Sequence, residues 1–159
     1  MGKYGGIVMA EYRHILVPVD GSASSLKAVE QAIELAGLCD AEINFIHVAN
    51  LNGVMGSYPA FVSPRSNFSG SILEDVVEIG RKILDQALDM VPQSVKAKGH
   101  CVNGNPASAI LQEAEALNVD LIIVGSRGLG VLKGTLVGSV SRSLLGNANC
   151  PVLVVKAEE

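Results

Sequence analysis

The sequence has no tryptophan and only three phenylalanines and three tyrosines, so aromatics make up 4% of its 159 positions. Its core must be built from valine, isoleucine, leucine and alanine. Charge is also scarce. Charged residues are 18% and apolar residues 48%, where an ordinary domain carries about 25% charged, and this excludes a disordered chain. Lys and Arg number 12 against 16 Asp and Glu, for a net charge of −4. No extended basic surface for nucleic acid can be assembled from that balance, although a small local anion site can. The three cysteines, Cys39, Cys101 and Cys150, are odd in number, scattered and without a C-x-x-C pair. That excludes a disulfide framework and a zinc site, and leaves them as small buried hydrophobes in a reducing cytoplasm. No apolar run approaches the ~18 residues of a membrane span. Met1–Ala10 holds only one short apolar stretch, Ile7–Ala10, which is not the pattern of a secretory leader. Residues 1–11 are read as a tail, and the chain as one cytoplasmic domain with no membrane contact.

Four segments are short, aliphatic and bounded by turn residues, as buried parallel strands are: 14–20 (HILVPVD), 42–49 (EINFIHVA), 120–125 (DLIIVG) and 151–155 (PVLVV). A fifth, 95–102, alternates Val95, Ala97, Gly99 and Cys101 with Lys96, Lys98 and His100, which predicts a strand near the sheet edge with one wet side. Helices are predicted between them. In 22–38, Leu26, Val29, Ile33 and Ala36 share a face behind a Ser22 cap; in 71–90, Ile72, Val76, Ile79, Ile83 and Ala87 do. Asn105-Pro106 opens a helix over 105–117, and a last helix over 137–145 should stop at Gly146. Alternation of strand and helix is the pattern of an α/β doubly wound sheet, with helices on both faces. The stretch 50–70, rich in Gly, Ser, Pro and Asn, reads as a long flexible loop.

In such sheets ligands bind beyond the carboxyl ends of the strands, where strand order reverses. Two post-strand loops carry unusual chemistry. One is Pro18-Val19-Asp20-Gly21-Ser22. The other, Gly125 to Ser139, has five glycines in fifteen residues. Glycines let backbone amides close on an oxyanion, and the helix start that follows offers free N–H groups and a positive dipole end. Arg127 and Lys133 add charge, and Ser126, Thr135, Ser139 and Ser141 add hydroxyls, so the stretch reads as a polyphosphate cradle. It is not a P-loop, because the order is Lys133-Gly134-Thr135. Nor is it a dinucleotide fingerprint, because Gly134 falls one place late and the loop follows the fourth strand.

The spacing Gly125-x2-Gly128-x9-Gly138-Ser139 resembles the G-x2-G-x9-G-[ST] motif of ATP-binding universal stress proteins. VDGSASSLKAVEQA, HVAN, GNPASAI, VDLIIVGSRGLG and GSVSRSLL followed by CPVLVV extend the likeness over residues 12–157. The resemblance implies a single five-stranded parallel sheet in the order 3-2-1-4-5, which makes the two loops neighbours. It implies an adenine nucleotide, with Asp20 at the ribose and holding Mg or Mn with the phosphates. Pro18, Val19 and Val48 would lie at the adenine and Val124 against the nucleoside. Gly125, Arg127, Gly128, Gly138, Ser139, Val140 and Ser141 would surround the phosphates. It also implies a homodimer through the last strand, Pro151 to Val155, whose apolar edge calls for a partner.

His14, His47 and His100 all fall in or beside strands and are read as structural, with no nucleophile motif or carboxylate cluster beside them. The reading is an ATP-binding, nucleotide-dependent stress-response switch, with little or no hydrolysis and an unidentified downstream protein partner. A slow metal-dependent ATPase or phosphotransferase is the alternative, and a dimerisation module without nucleotide a third reading. AMP or another adenine nucleotide also fits, because the adenine contacts would be mostly backbone.

Overall fold

The computed structural model describes residues 12–50, 68–128 and 137–157. The tail 1–11, most of the 50–70 loop, Lys133 and Thr135 lie outside them. The elements run β1 (His14–Pro18), α1 (Ala23–Cys39), β2 (Glu42–Ala49), α2 (Phe68–Asp89), β3 (Lys96–Asn103), α3 (Pro106–Ala116), β4 (Leu121–Gly125), α4 (Ser139–Asn147) and β5 (Val152–Val155). The strands form one parallel sheet in the order β3-β2-β1-β4-β5, as the resemblance implied.

Strand side chains alternate between two apolar layers. Ile15, Val17, Ile43, Phe45 and Ile123 pack with Ala28, Val29, Ala32 and Ala36 of α1 and Leu84 and Ala87 of α2. Leu16, Ile46, Ile122 and Val124 pack with Ile110 of α3 and Leu144 of α4. The buried face of α1 is mostly small, Ser24, Ser25, Ala28, Ala32 and Ala36 with Val29, so that helix lies close on the sheet. Phe45, fully buried, is the largest side chain in the core.

Several local expectations are corrected. Ile79 is 56% exposed. The inner face of α2 is instead Gly80, Ile83, Leu84 and Ala87, because a side chain at 80 would meet His47 at 2.7 Å; the bare backbone of Gly80 takes the inward position. On β3, Gly99 and Cys101 are exposed while His100 is half-buried, its Nε2 3.1 Å from the Oδ1 of buried Asn44. Cys101 is therefore not a core residue, and Cys39 and Cys150 are only half-buried. The ladder of β1 ends at Pro18 rather than Asp20, although the Val19 N–H still donates to Ile46 O at 2.8 Å. Helix α2 begins at Phe68, inside the predicted loop, and α4 starts at Ser139 and continues through Gly146 to Asn147.

Across β2 and β3, Lys98 Nζ lies 2.8 Å from Glu42 Oε1. This bond is the main reason the Glu42 carboxyl sits below its ordinary 4.5, against an opposing effect of burial. A depressed folded pKa contributes stability above the unfolded value, and that contribution is lost as pH falls through the folded one. Lys98 is 64% exposed, so the pair is worth less than about 1 kcal/mol. Lys98→Met should raise the Glu42 pKa toward 4.5 in a carboxyl NMR titration; an unmoved titration would remove the assignment.

Candidate functional site

β1 lies between β2 and β4, and the chain leaves it toward one side and β4 toward the other. Their carboxyl ends therefore flank an open crevice. The exit from β1 turns at Gly21, whose φ of +81 is the left-handed region that glycine enters without strain. Asp20 Oδ1 accepts from the Ser22 N–H at 2.9 Å. Ser22 then caps α1, its side chain accepting from the Ser25 N–H at 3.3 Å. From β2, His47 Nδ1 lies 2.9 Å from Val19 O; a carbonyl only accepts, so this nitrogen carries the proton. His47 and His100 are thus structurally engaged, as read from the sequence.

The exit from β4 is held more tightly still. A Cβ on Gly125 would sit 2.6 Å from Ser24 Oγ, 2.7 Å from Ser24 C and 2.8 Å from Ser25 N, so β4 ends directly against the first turn of α1. Ser126 N–H donates to Val155 O at 2.7 Å, and Gly138 N–H donates to Ser126 O at 2.6 Å. Ser141, 3% exposed, donates its hydroxyl to Gly125 O at 2.7 Å. Ser24 Oγ donates to Arg127 O and accepts from Arg127 N–H. One residue on, a Cβ at Gly128 would lie 2.6 Å from Asp20 Oδ2, so the two loops touch.

Between them lies a cleft of about 250 Å³, just below the range of small-molecule sites, roughly 300–1,000 Å³. The twelve residues that the resemblance implied line it, whereas Ser126, also read as a cradle hydroxyl, is 2% exposed and does not. Pro18, Val19 and Asp20 come from the first loop and Val48 from β2. Val124, Gly125, Arg127 and Gly128 come from the end of β4, and Gly138, Ser139, Val140 and Ser141 from the start of α4. Five further lining residues escaped the sequence reading: Ser25, Ile46, His47, Pro106 and Ile110. The available signal was topological, since α3 follows β3 and must start at the same end of the sheet.

The lining is chemically mixed. Val19, Ile46, Val48, Ile110, Val124 and Val140 are apolar, and Asp20, Arg127, Ser139 and the α4 N-terminus are polar. Three helices have a described N-cap. Ser22 and Asn105 cap α1 and α3 with side-chain oxygens, while α4 has Gly138 and no side-chain cap bond. Its first-turn amides have no intrahelical acceptors, and they carry the positive end of the helix dipole. The Ser141 hydroxyl donates its one proton to Gly125 O, so the donor that residue has left for an anion is its backbone N–H.

The packing at Gly125 can be tested. Gly125→Ala should destabilise the protein by about 1–3 kcal/mol, because backbone must move. Gly37→Ala, in α1 with nothing within 4 Å, should stabilise it by about 0.5–1 kcal/mol. Equal melting temperatures for the two variants would contradict the close approach.

A sequence profile described as the universal stress protein family matches residues 11–156. Universal stress protein YxiE of Bacillus subtilis is 37% identical over 147 residues, covering 91% of this chain and 99% of its own. The solved structure of hypothetical protein MJ0577 is similar with a TM-score of 0.80 at 27% identity, covering 94% of this chain and 99% of that one. The Arabidopsis thaliana universal stress protein family protein At3g01520, solved with AMP bound, shares the fold with a TM-score of 0.67 at 23% identity, covering 92% of each chain. The motif spacing, the 3-2-1-4-5 sheet and the match over residues 11–156 agree, and the chain belongs to the universal stress protein family.

Proposed function

We propose that the cleft binds ATP, and that the protein is a nucleotide-dependent switch in the stress response of the cytoplasm. The observation that carries this reading is the uncapped start of α4 opening on a cleft that also has apolar lining residues. A phosphate chain suits the amides of Ser139, Val140 and Ser141, and a purine suits Val48, Ile110 and Val124. A protein of net charge −4 would then hold an anion with oriented backbone dipoles, aided by Arg127, rather than with a broad positive field. The AMP-bound Arabidopsis relative has the same fold, and the proposal extends an adenine nucleotide to this chain.

Among the described residues no cluster of three or more His, Cys, Asp or Glu side chains could hold a metal alone. Asp20 faces the loop at Gly128, so Mg or Mn would be held jointly by its carboxylate and the phosphates. That chemistry neutralises phosphate charge. Hydrolysis should be slow or absent: the lining carries no motif that pairs a base with an attacking water. The downstream protein partner would read the nucleotide state. A homodimer would form through β5, an edge strand with Leu153 38% exposed.

The binding test is direct. Protein purified without added nucleotide should release an adenine nucleotide on denaturation, detectable by ion-exchange chromatography. The stripped protein should give heat with Mg-ATP. Gly128→Val, which drives a side chain into Asp20, should weaken binding by at least about tenfold, or 1.4 kcal/mol. No heat with ATP, AMP or a cyclic nucleotide would overturn the proposal. For the dimer, Leu153→Lys should convert it to monomer at micromolar concentration in light scattering; a dimer that survives would place the interface elsewhere.

A further inference from the structure

We infer that Ser24 is a positioning residue that sets the phosphate end of the cleft, an inference that rests on the nucleotide reading above. Ser24 lies in the first turn of α1 and is 4% exposed. It falls outside the glycine motif, and it does not line the cleft. Its hydroxyl nevertheless serves both backbone groups of Arg127, accepting from the N–H at 3.3 Å and donating to the carbonyl oxygen. A hydroxyl has one donor and two acceptor sites, so a single side chain can fix the orientation of a whole residue. Ser22 adds a second, longer bond to the same carbonyl at 3.3 Å.

The neighbouring backbone groups are held by other elements. Gly125 O is taken by Ser141, Ser126 N–H by Val155 O and Ser126 O by Gly138 N–H. Among the described residues of the loop, Arg127 is tied to α1 by side chains, across 103 residues of sequence. Arg127 is also the last residue before Gly128, which must pass within a Cβ's reach of Asp20. Turning the Arg127 peptides would therefore move Gly128 against Asp20 and change where the loop meets the phosphates. The apolar lining residues Ile46, Val48, Ile110 and Val124, on β2, β4 and α3, make no part of this tie. The entry to the loop is thus set by α1 before any ligand arrives.

The consequence is selective. Ser24→Ala should weaken Mg-ATP binding by about 3–10-fold, the value of one net hydrogen bond, and leave adenosine binding within about twofold. A purely structural loss would weaken both ligands alike. In the protein without nucleotide, the Arg127 amide of Ser24→Ala should exchange its hydrogen about 3–10-fold faster. If Ser24→Ala does not fold, Ser24→Cys keeps the volume but is a weak donor and acceptor, and should give the same pattern. Calorimetry with ATP and adenosine on wild type and variant separates the outcomes. Selective loss of ATP supports the role. Equal loss of both ligands, no loss, or an unchanged Arg127 exchange rate overturns it while the nucleotide reading stands. Wild type that binds neither ligand overturns both.

Discussion

The structure turns on one close approach, that of the end of β4 to the first turn of α1 at Gly125. No side chain fits there, since a Cβ would lie within 2.8 Å of two backbone atoms of α1. Because β1 and β4 are adjacent at the point where strand order reverses, the helix that follows β1 is brought against the loop that follows β4. Ser24 can then reach Arg127, and Gly128 can reach Asp20. The alanine face of α1 serves the same end, because Ala28, Ala32 and Ala36 let the helix lie low on the sheet. A larger residue along that face would lift the helix and open the contact at its N-terminus.

The mixed lining of the cleft follows from the same geometry. Strand residues alternate between two faces, and those pointing toward α3 and α4 at the end of the sheet, Ile46, Val48 and Val124, are aliphatic. They leave an apolar wall. The polar lining is made where chains turn, because turns expose amides and bring serines and Asp20 to the same rim. Serine does much of the work: Ser22, Ser24 and Ser141 each bind backbone of an adjoining segment. These small hydroxyls fit where a longer polar side chain would fill the space.

The sequence was most readable where one physical rule acted alone. β2 is legible over its full span, 42–49, because a short run rich in apolar residues and bounded by turn residues has few other fates. The twelve residues implied by the resemblance line one cleft, because the sheet order sets the exits of β1 and β4 side by side. Reading failed where tertiary contacts overrode periodicity. Ile79 continues the helical apolar stripe yet faces out, because Gly80 gives α2 its inward position against His47. Cys101 continues the alternation of β3 yet is exposed, because β3 is an edge strand. Ser24 was invisible as a site residue, because a serine in a first helical turn is locally ordinary and its partner is 103 residues away.

The sequence alone determined the alternation of strands and helices, the aliphatic core and the glycine loop with its spacing, all of which are local patterns set by side-chain size and backbone freedom. Tertiary structure decided which serine holds which carbonyl, which face of α2 is buried and which residues of β2 and α3 complete the cleft. Those depend on distances between segments far apart in the chain, which are fixed only when the sheet has assembled and the helices have settled on it.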